Sequence, residues 1–242
     1  MYIFDLIKKY PKKRGKLPEP LKKIFDSFYL SNRENLFLQL IRRWLHSVMS
    51  DRKEGLITLE IGAGTLNHLK YEKIKKYDII EPKKFLYSNS SNLKLINKSF
   101  DNINQCKNNY YDRIISIAVL EHITDLPKYL YESSKKIKED GYQQHSIPCE
   151  GYPTWNLTWF MISGISFRIK FGYSFKYIQD HEHVNNFDEI LTLIKFFYKN
   201  VSIKFSYPFY NKYLSLYSNI KFSNPNEENI KKYLKYKKNR DF

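Results

Sequence analysis

The chain has 242 residues and a formal net charge of +16, and 17% of it is aromatic, including 21 Tyr and 17 Phe. That length holds one sizeable core, or one domain with a small appendage, and the aromatic content excludes a disordered chain. Two cysteines, Cys106 and Cys149, make no disulfide framework, and the positive excess favours anionic partners such as nucleic acid, acidic lipid or phosphorylated substrates. Apart from clusters at Lys8–Lys16 and Lys231–Arg240 the lysines are scattered, which is equally the pattern of an ordinary solvated surface.

Lys8, Lys9, Lys12, Lys13 and Arg14 interrupt the start before an apolar run develops, so no signal peptide is expected. The longest apolar stretch, Trp159 to Phe167, is too short for a bilayer, and a cytoplasmic location without a membrane span follows. Lys12 to Pro20 reads as a loop. Ser31-Asn32-Arg33-Glu34 is a capping-box pattern opening a helix, with Phe37, Leu40, Ile41, Trp44, Leu45 and Val48 on its apolar face. From Leu56 the pattern alternates strand and helix, which implies a parallel sheet covered on both faces. Strands are expected at Leu56–Ile61, Tyr77–Ile80, Leu93–Ile96, Asp112–Ala118 and Tyr142–Ile147, the last unusually polar. Asp125 caps a helix with Pro127 in its first turn; Leu126, Leu130, Ser133 and Ile137 line one face and Gly141 ends it. Residues 149–182 form an aromatic segment too long for a plain connection, expected to fold as an inserted cap. A helix at Phe187–Tyr198 and strands at Val201–Ser206 and Leu214–Phe222 follow, then a charged tail from Asn224 with no evident core partner.

The chemistry-bearing stretch is Thr58-Leu59-Glu60-Ile61-Gly62-Ala63-Gly64-Thr65, with Asp78-Ile79-Ile80-Glu81 beyond it. Gly62 and Gly64 tolerate backbone angles that let a ligand approach the main chain. Glu81 stands where a carboxylate accepts from a ribose diol. Asn67 replaces the third glycine of the nicotinamide fingerprint, and Glu60 suits a cationic ligand better than a pyrophosphate. At these residues the chain resembles the class I S-adenosylmethionine (SAM)-dependent methyltransferases, whose first motif reads acidic-x-Gly-x-Gly. The resemblance extends through Tyr111–Ile123 and Lys138-Glu139-Asp140-Gly141, covering roughly residues 55 to 205. It looks most like the small-molecule bacterial members, some of which modify surface-glycan sugars.

The resemblance implies an α/β fold with a Rossmann-like seven-stranded methyltransferase sheet, N-terminal helices and the aromatic insertion after strand 5. It divides the chain into a helical cover (1–50), a methyltransferase domain (51–223, with the cap at 149–182) and the tail (224–242). Glu60, Gly62, Ala63 and Gly64 would surround the methionine end and ribose of SAM. Glu81 would hold the ribose hydroxyls, Ser99 and Phe100 the adenine, and Ala118 would pass the cofactor with its backbone. Tyr29 and Arg33 would either reach the methionine carboxylate or serve the structure and the solvated surface. The Asx-Pro-Pro-aromatic motif of exocyclic-amine nucleobase enzymes is replaced by Ala118-Val119-Leu120-Glu121, and Cys149 follows the fifth strand as an ordinary residue.

Histidine titrates near neutral pH and can take a hydroxyl proton as a methyl arrives. His183 and His122 are the candidates for that role, and His183 lies in a Glu-His-Val-Asn stretch resembling one near the substrate mouth of small-molecule members; Glu150, which follows the fifth strand on the expected substrate side, is a further candidate for a direct role. The alternative is that Asn185 or Asn186 caps the next helix and the histidines only pack. His181 and His183 would bind a metal only with ligands brought from afar, so none is expected. The expected function is O-methylation of a small polar or anionic acceptor such as a sugar or phosphorylated glycan intermediate. An RNA or other nucleic-acid methyltransferase, or a SAM-binding protein without catalysis, are the other readings.

Overall fold

The computed structural model describes residues 3–23, 36–51, 55–73, 75–205 and 210–240. Its strands are β1 (Ile57–Ile61), β2 (Lys76–Ile80), β3 (Lys98–Phe100), β4 (Tyr111–Ile117), β5 (Ile137–Pro148), β6 (Tyr198–Phe205) and β7 (Tyr217–Pro225). They form one seven-stranded sheet in the order β3-β2-β1-β4-β5-β7-β6. The first five pair in parallel, while β7 runs antiparallel between β5 and β6. The helices are α1 (Ile3–Ile7), α2 (Leu36–Met49), α3 (Leu126–Lys136), α4 (Pro153–Trp159), α5 (Ile165–Phe171), α6 (Lys176–Glu182), α7 (Phe187–Phe197) and α8 (Glu227–Lys238). This is the Rossmann-like architecture expected, with the aromatic insertion after the fifth strand.

Helices follow from their sequence periods. In α7, Phe187, Ile190, Leu193, Ile194 and Phe197 recur at helical spacing and are fully buried. Each such side chain contributes roughly 1.5–3 kcal/mol on burial. Asn186 caps this helix by accepting from Glu189 N, and Glu189 Oε2 in turn accepts from Asn186 N. In α3, Asp125 accepts from Lys128 N, and Pro127 lies in the first turn, as read from the sequence. One core joins α1, α3, α7 and α8 to the sheet, and a second, around Met49, Tyr77, Ile79 and Ile115, joins α2 to it.

Four expectations change, and a fifth lies outside the described residues. The third strand is Lys98–Phe100, not Leu93–Ile96, which forms a solvent-facing helical turn with Leu93 and Leu95 exposed. Gly141 does not end α3: that helix stops at Lys136, and Gly141 lies inside β5 at a register shift opposite β4. A Cβ there would meet Ile137 Cγ1 at 2.8 Å and the carbonyl oxygens of Tyr111 and Asp112 at 3.0 Å, so only glycine fits. In α2 the row Leu40, Trp44 and Val48 is exposed, because the helix docks through Leu45 and Met49. Buried Arg113 of β4 reinforces that docking by donating to the Met49 carbonyl and pairing with Glu72 at 2.8 Å. The tail has a core partner: α8 buries Ile230 and Tyr233, with Tyr233 edge-on to Phe197 at 5.2 Å. Finally, the capping box at Ser31–Glu34, together with Tyr29 and Arg33, lies outside the described residues.

The polar fifth strand is buried, and its polarity is matched strand to strand. His145 Nδ1 meets Ser116 Oγ at 2.7 Å, and Gln143 Nε2 donates to Tyr198 Oη at 2.5 Å and to Ser133 Oγ at 3.0 Å. Burial lowers the His145 imidazole to about 3, so it sits neutral in the core. The insertion folds as α4, a π-helical turn (Phe160–Gly164), α5 and α6. Phe167, Phe175 and Ile178 of this cap pack with Leu17 and Leu21 from the N-terminal segment.

Candidate active site

The carboxyl ends of the parallel strands carry the sequence-predicted residues, and β1 and β2 bring the first group together. Gly62 and Gly64 have φ of +67° and +55°, the left-handed region where a side chain is strained. Gly62 N donates to the Ile80 carbonyl at 2.7 Å, which ties the turn to the end of β2. A Cβ on Gly62 would stand 2.6 Å from Val119 Cγ2, so the turn after β4 packs directly on this glycine. Glu81, only 7% exposed, accepts from Gly64 N through Oε2 and from Lys83 N through Oε1, both at 2.9 Å. Ala63 is buried between them in sequence.

The other members of this group are placed differently. Glu60 is sealed into the layer behind the turn, where its Oε2 accepts from Tyr77 Oη at 3.0 Å. Burial pushes its carboxyl up to about 7, against the lowering influence of His68 and the Tyr77 bond. Ser99 lies within β3 rather than after it, exposed, with Oγ 2.7 Å from Tyr87 Oη; Phe100 is half-buried. Ala118 has φ of +53° and donates its N–H to the Ser146 carbonyl at 2.9 Å. That unusual backbone turns the chain sharply out of β4.

A second group forms where the turn after β4 meets the segment joining α6 to α7. His183 Nδ1 lies 2.5 Å from Glu150 Oε2, and Gln179 Nε2 donates to Glu150 Oε1 at 2.6 Å. Burial alone would lower the His183 imidazole, but the Glu150 bond and charge, with the carboxylates of Glu121 and Glu182, hold it above its ordinary value. His122 stands edge-on to His183 with ring centroids 4.8 Å apart, and its Nδ1 faces the Glu182 carbonyl at 2.8 Å. Burial and the neighbouring His183 push His122 down to about 3. The three predicted catalytic side chains, His183, His122 and Glu150, therefore share one corner. His181 does not join them, because its Nδ1 meets the Gly15 carbonyl at 2.7 Å.

Sequence reasoning missed Glu121, Gln179 and the strap formed by the N-terminal segment, and offered Asn185 only as a helix cap, a place Asn186 takes. Glu121 is 2% exposed, and burial pushes its carboxyl up to about 7 although His183 opposes this. Asn185 holds the corner by donating to the Leu120 and Ile123 carbonyls at 2.9 and 2.7 Å while accepting from Tyr10 Oη at 2.8 Å. Lys12 donates to the Val184 carbonyl, and Arg14 to the carbonyls of His122, His181 and Glu182. Cys149 is fully buried with its thiol pushed up to about 12, which suits an inert core residue and not a nucleophile. No helix of the described residues is long and apolar enough to cross a membrane.

An adenosyl ligand fits the first group. The turn carries no side chain at Gly64, and the carboxylate of Glu81 has further lone pairs beside the two that bind amides. Residues 29–197 match a family model described as a methyltransferase domain. Among solved structures, the plantazolicin methyltransferase BpumL in complex with SAH is similar over 93% of this chain and 100% of its own, at 17% identity and a TM-score of 0.60. A SAM-dependent methyltransferase from Thermotoga maritima, described as a possible histamine N-methyltransferase, is similar over 92% and 99%, at 13% identity and a TM-score of 0.55. Against the CurJ carbon methyltransferase, 70% of this chain covers 48% of that chain, about half its length, at 17% identity and a TM-score of 0.48. No curated protein matches the sequence.

Proposed function

The chain belongs to the methyltransferase-domain family and is a class I SAM-dependent methyltransferase, and from that premise we propose that it O-methylates a small polar or anionic acceptor such as a sugar or phosphorylated glycan intermediate. SAM, when bound, supplies a methyl group already activated by its sulfonium, so the protein's task is alignment, dryness and proton removal. In this reading Gly62, Ala63 and Gly64 cradle the cofactor and Glu81 accepts from its ribose hydroxyls. Ser99 and Phe100 flank the adenine and the Ala118 backbone borders the methionine end. Glu60 supports the turn from behind, held by the Tyr77 hydroxyl.

The observation that carries the acceptor chemistry is the His183–Glu150 pair at 2.5 Å. A carboxylate on Nδ1 fixes the ring tautomer and leaves Nε2 to accept a hydroxyl proton, while Glu150 stabilises the imidazolium that results. His122, held neutral beside it, orients the acceptor without competing for the proton. The N-terminal cover and the cap at 149–182 enclose the acceptor, and the two free, buried cysteines suit a cytoplasmic setting. The basic surface suits an anionic acceptor; nucleic acid is the second reading and predicts binding that weakens steeply with salt.

The test is S-adenosylhomocysteine (AdoHcy) formation from SAM with a panel of sugars, sugar phosphates and nucleotide sugars, compared between the natural protein and His183→Gln. A loss on the order of a hundredfold or more in transfer, with AdoHcy affinity kept, is the expected result. Undiminished transfer by the variant would return His183 to a packing role.

A further inference from the structure

We propose that Glu121, His122 and His183 form a binding site for a divalent transition-metal ion of the zinc class, a site separate from the glycine turn. One donor atom from each of the three lies within 4.8 Å of the others. The hydrogen bonds around the three decide which ring nitrogens face the gap between them. The Glu182 carbonyl at 2.8 Å only accepts, so His122 Nδ1 carries the proton and its lone pair is on Nε2. Glu150 imposes the same tautomer on neutral His183 through the 2.5 Å contact at Nδ1. Glu121 Oε2 is buried with no hydrogen-bond partner, and Oε1 lies 3.9 Å from His122 Nε2. With both rings neutral, two imidazole lone pairs and the unpartnered carboxylate oxygen converge on one gap, a donor set that a divalent cation fits.

The surroundings match those of a metal centre as well. A ligating histidine ordinarily donates its other ring N–H to a carboxylate or carbonyl, as both histidines do here. The Glu121 carbonyl accepts from Val184 N and Asn185 N at 2.8 and 3.1 Å, which pins the carboxylate's backbone to the segment carrying His183. Two imidazoles and one carboxylate suit zinc, cobalt or manganese, whereas magnesium and calcium call for oxygen ligands. Bonds of about 2.0–2.2 Å need the three donors to close by roughly 1 Å, within the reach of small side-chain rotations. Three protein ligands leave a fourth position open to water or an acceptor oxygen. The partly exposed edge of His122, 29% accessible, marks the solvent side.

This inference deepens the acceptor half of the proposed function, since an ion on His183 Nε2 occupies the nitrogen otherwise available as a base and polarises a coordinated hydroxyl in its place. It stands on side-chain geometry and is tested without turnover. Full-length protein stripped with chelator is titrated with Zn²⁺ by calorimetry, and with Co²⁺ to read the visible ligand-field absorption. One-to-one saturable binding is expected, weakened at least tenfold by Glu121→Gln and by His183→Gln and unaltered by His46→Gln. His46 is the control because its Nδ1 lies 3.3 Å from that of His68, a competing histidine pair. Absence of saturable binding, equal binding by Glu121→Gln and His183→Gln, or loss of binding in His46→Gln overturns the proposal. If Glu121→Gln fails to fold, His122→Gln supplies the same readout. AdoHcy affinity of the stripped protein separates the two ideas: AdoHcy binding without Zn²⁺ binding removes the metal site alone, and Zn²⁺ binding without AdoHcy binding removes the cofactor assignment alone.

Discussion

Replacing Glu81 with glutamine tests the cofactor assignment most directly. The carboxylate receives two main-chain N–H groups, from Gly64 and Lys83, each at 2.9 Å. Glutamine offers one acceptor oxygen and turns an NH2 toward the other amide, so one bond is lost and two donors confront each other. Hydrogen bonds to a charged group are worth about 1.5–3 kcal/mol, and an unpaired buried donor costs a similar amount, so stability should fall by about 2 kcal/mol. The cofactor's ribose would lose its charged acceptor as well. One such bond corresponds to roughly a 10–100-fold weaker AdoHcy complex. Titration calorimetry at a temperature where both proteins are folded, alongside urea denaturation, measures the two effects separately. A destabilised variant that binds AdoHcy within threefold of the natural protein would make Glu81 a turn clamp and refute its role with ribose.

Three further outcomes follow from the structure. Glu60 rises from an ordinary 4.5 to about 7 in the folded state, so folding takes up a proton between those values and stability declines as pH climbs through that window. Glu60→Gln should remove that decline, gaining about 3 kcal/mol relative to the natural protein at pH 8 compared with pH 4; parallel urea curves at the two pH values with no difference would contradict the burial argument. Gly62→Ala should cost about 1–3 kcal/mol through its positive φ, plus the displacement of Val119. Adding Val119→Ala should recover the second part and not the first, read from a double-mutant cycle in urea. Tyr233→Ala should cost about 3 kcal/mol, whereas Leu234→Ala, at 40% exposure, should stay within about 0.5; equal melting temperatures would show that α8 adds nothing to the core.

Elements whose information is local were legible in the sequence. The apolar run into Gly62, the Asp125 cap with Pro127, and the spacing of Phe187, Ile190 and Ile194 each announce themselves within a dozen residues. Lys98-Ser99-Phe100 did not, because an edge strand in contact on one side needs little apolar character. The early part of β5 was also hidden, since Lys138-Glu139-Asp140-Gly141 carries turn residues and its strand geometry is imposed by β4. His145 and Gln143 seemed wrong for a central strand until register supplied Ser116 and Tyr198. In the candidate site the glycine turn and Glu81 were readable from spacing. Glu121 was not, because its significance depends on His183, which reaches it only through the tertiary fold.

The strap of Lys12 and Arg14 has a consequence for how the molecule comes into being. These side chains grip main-chain oxygens of His122, His181, Glu182 and Val184, so the earliest described stretch and the late linker before α7 must find each other across most of the polypeptide. Contacts so distant along the chain bear the largest loop-closure entropy and are expected to form after local ones. The turn built from the neighbouring ends of β1 and β2 is therefore expected to form before the corner that Lys12 and Arg14 lock.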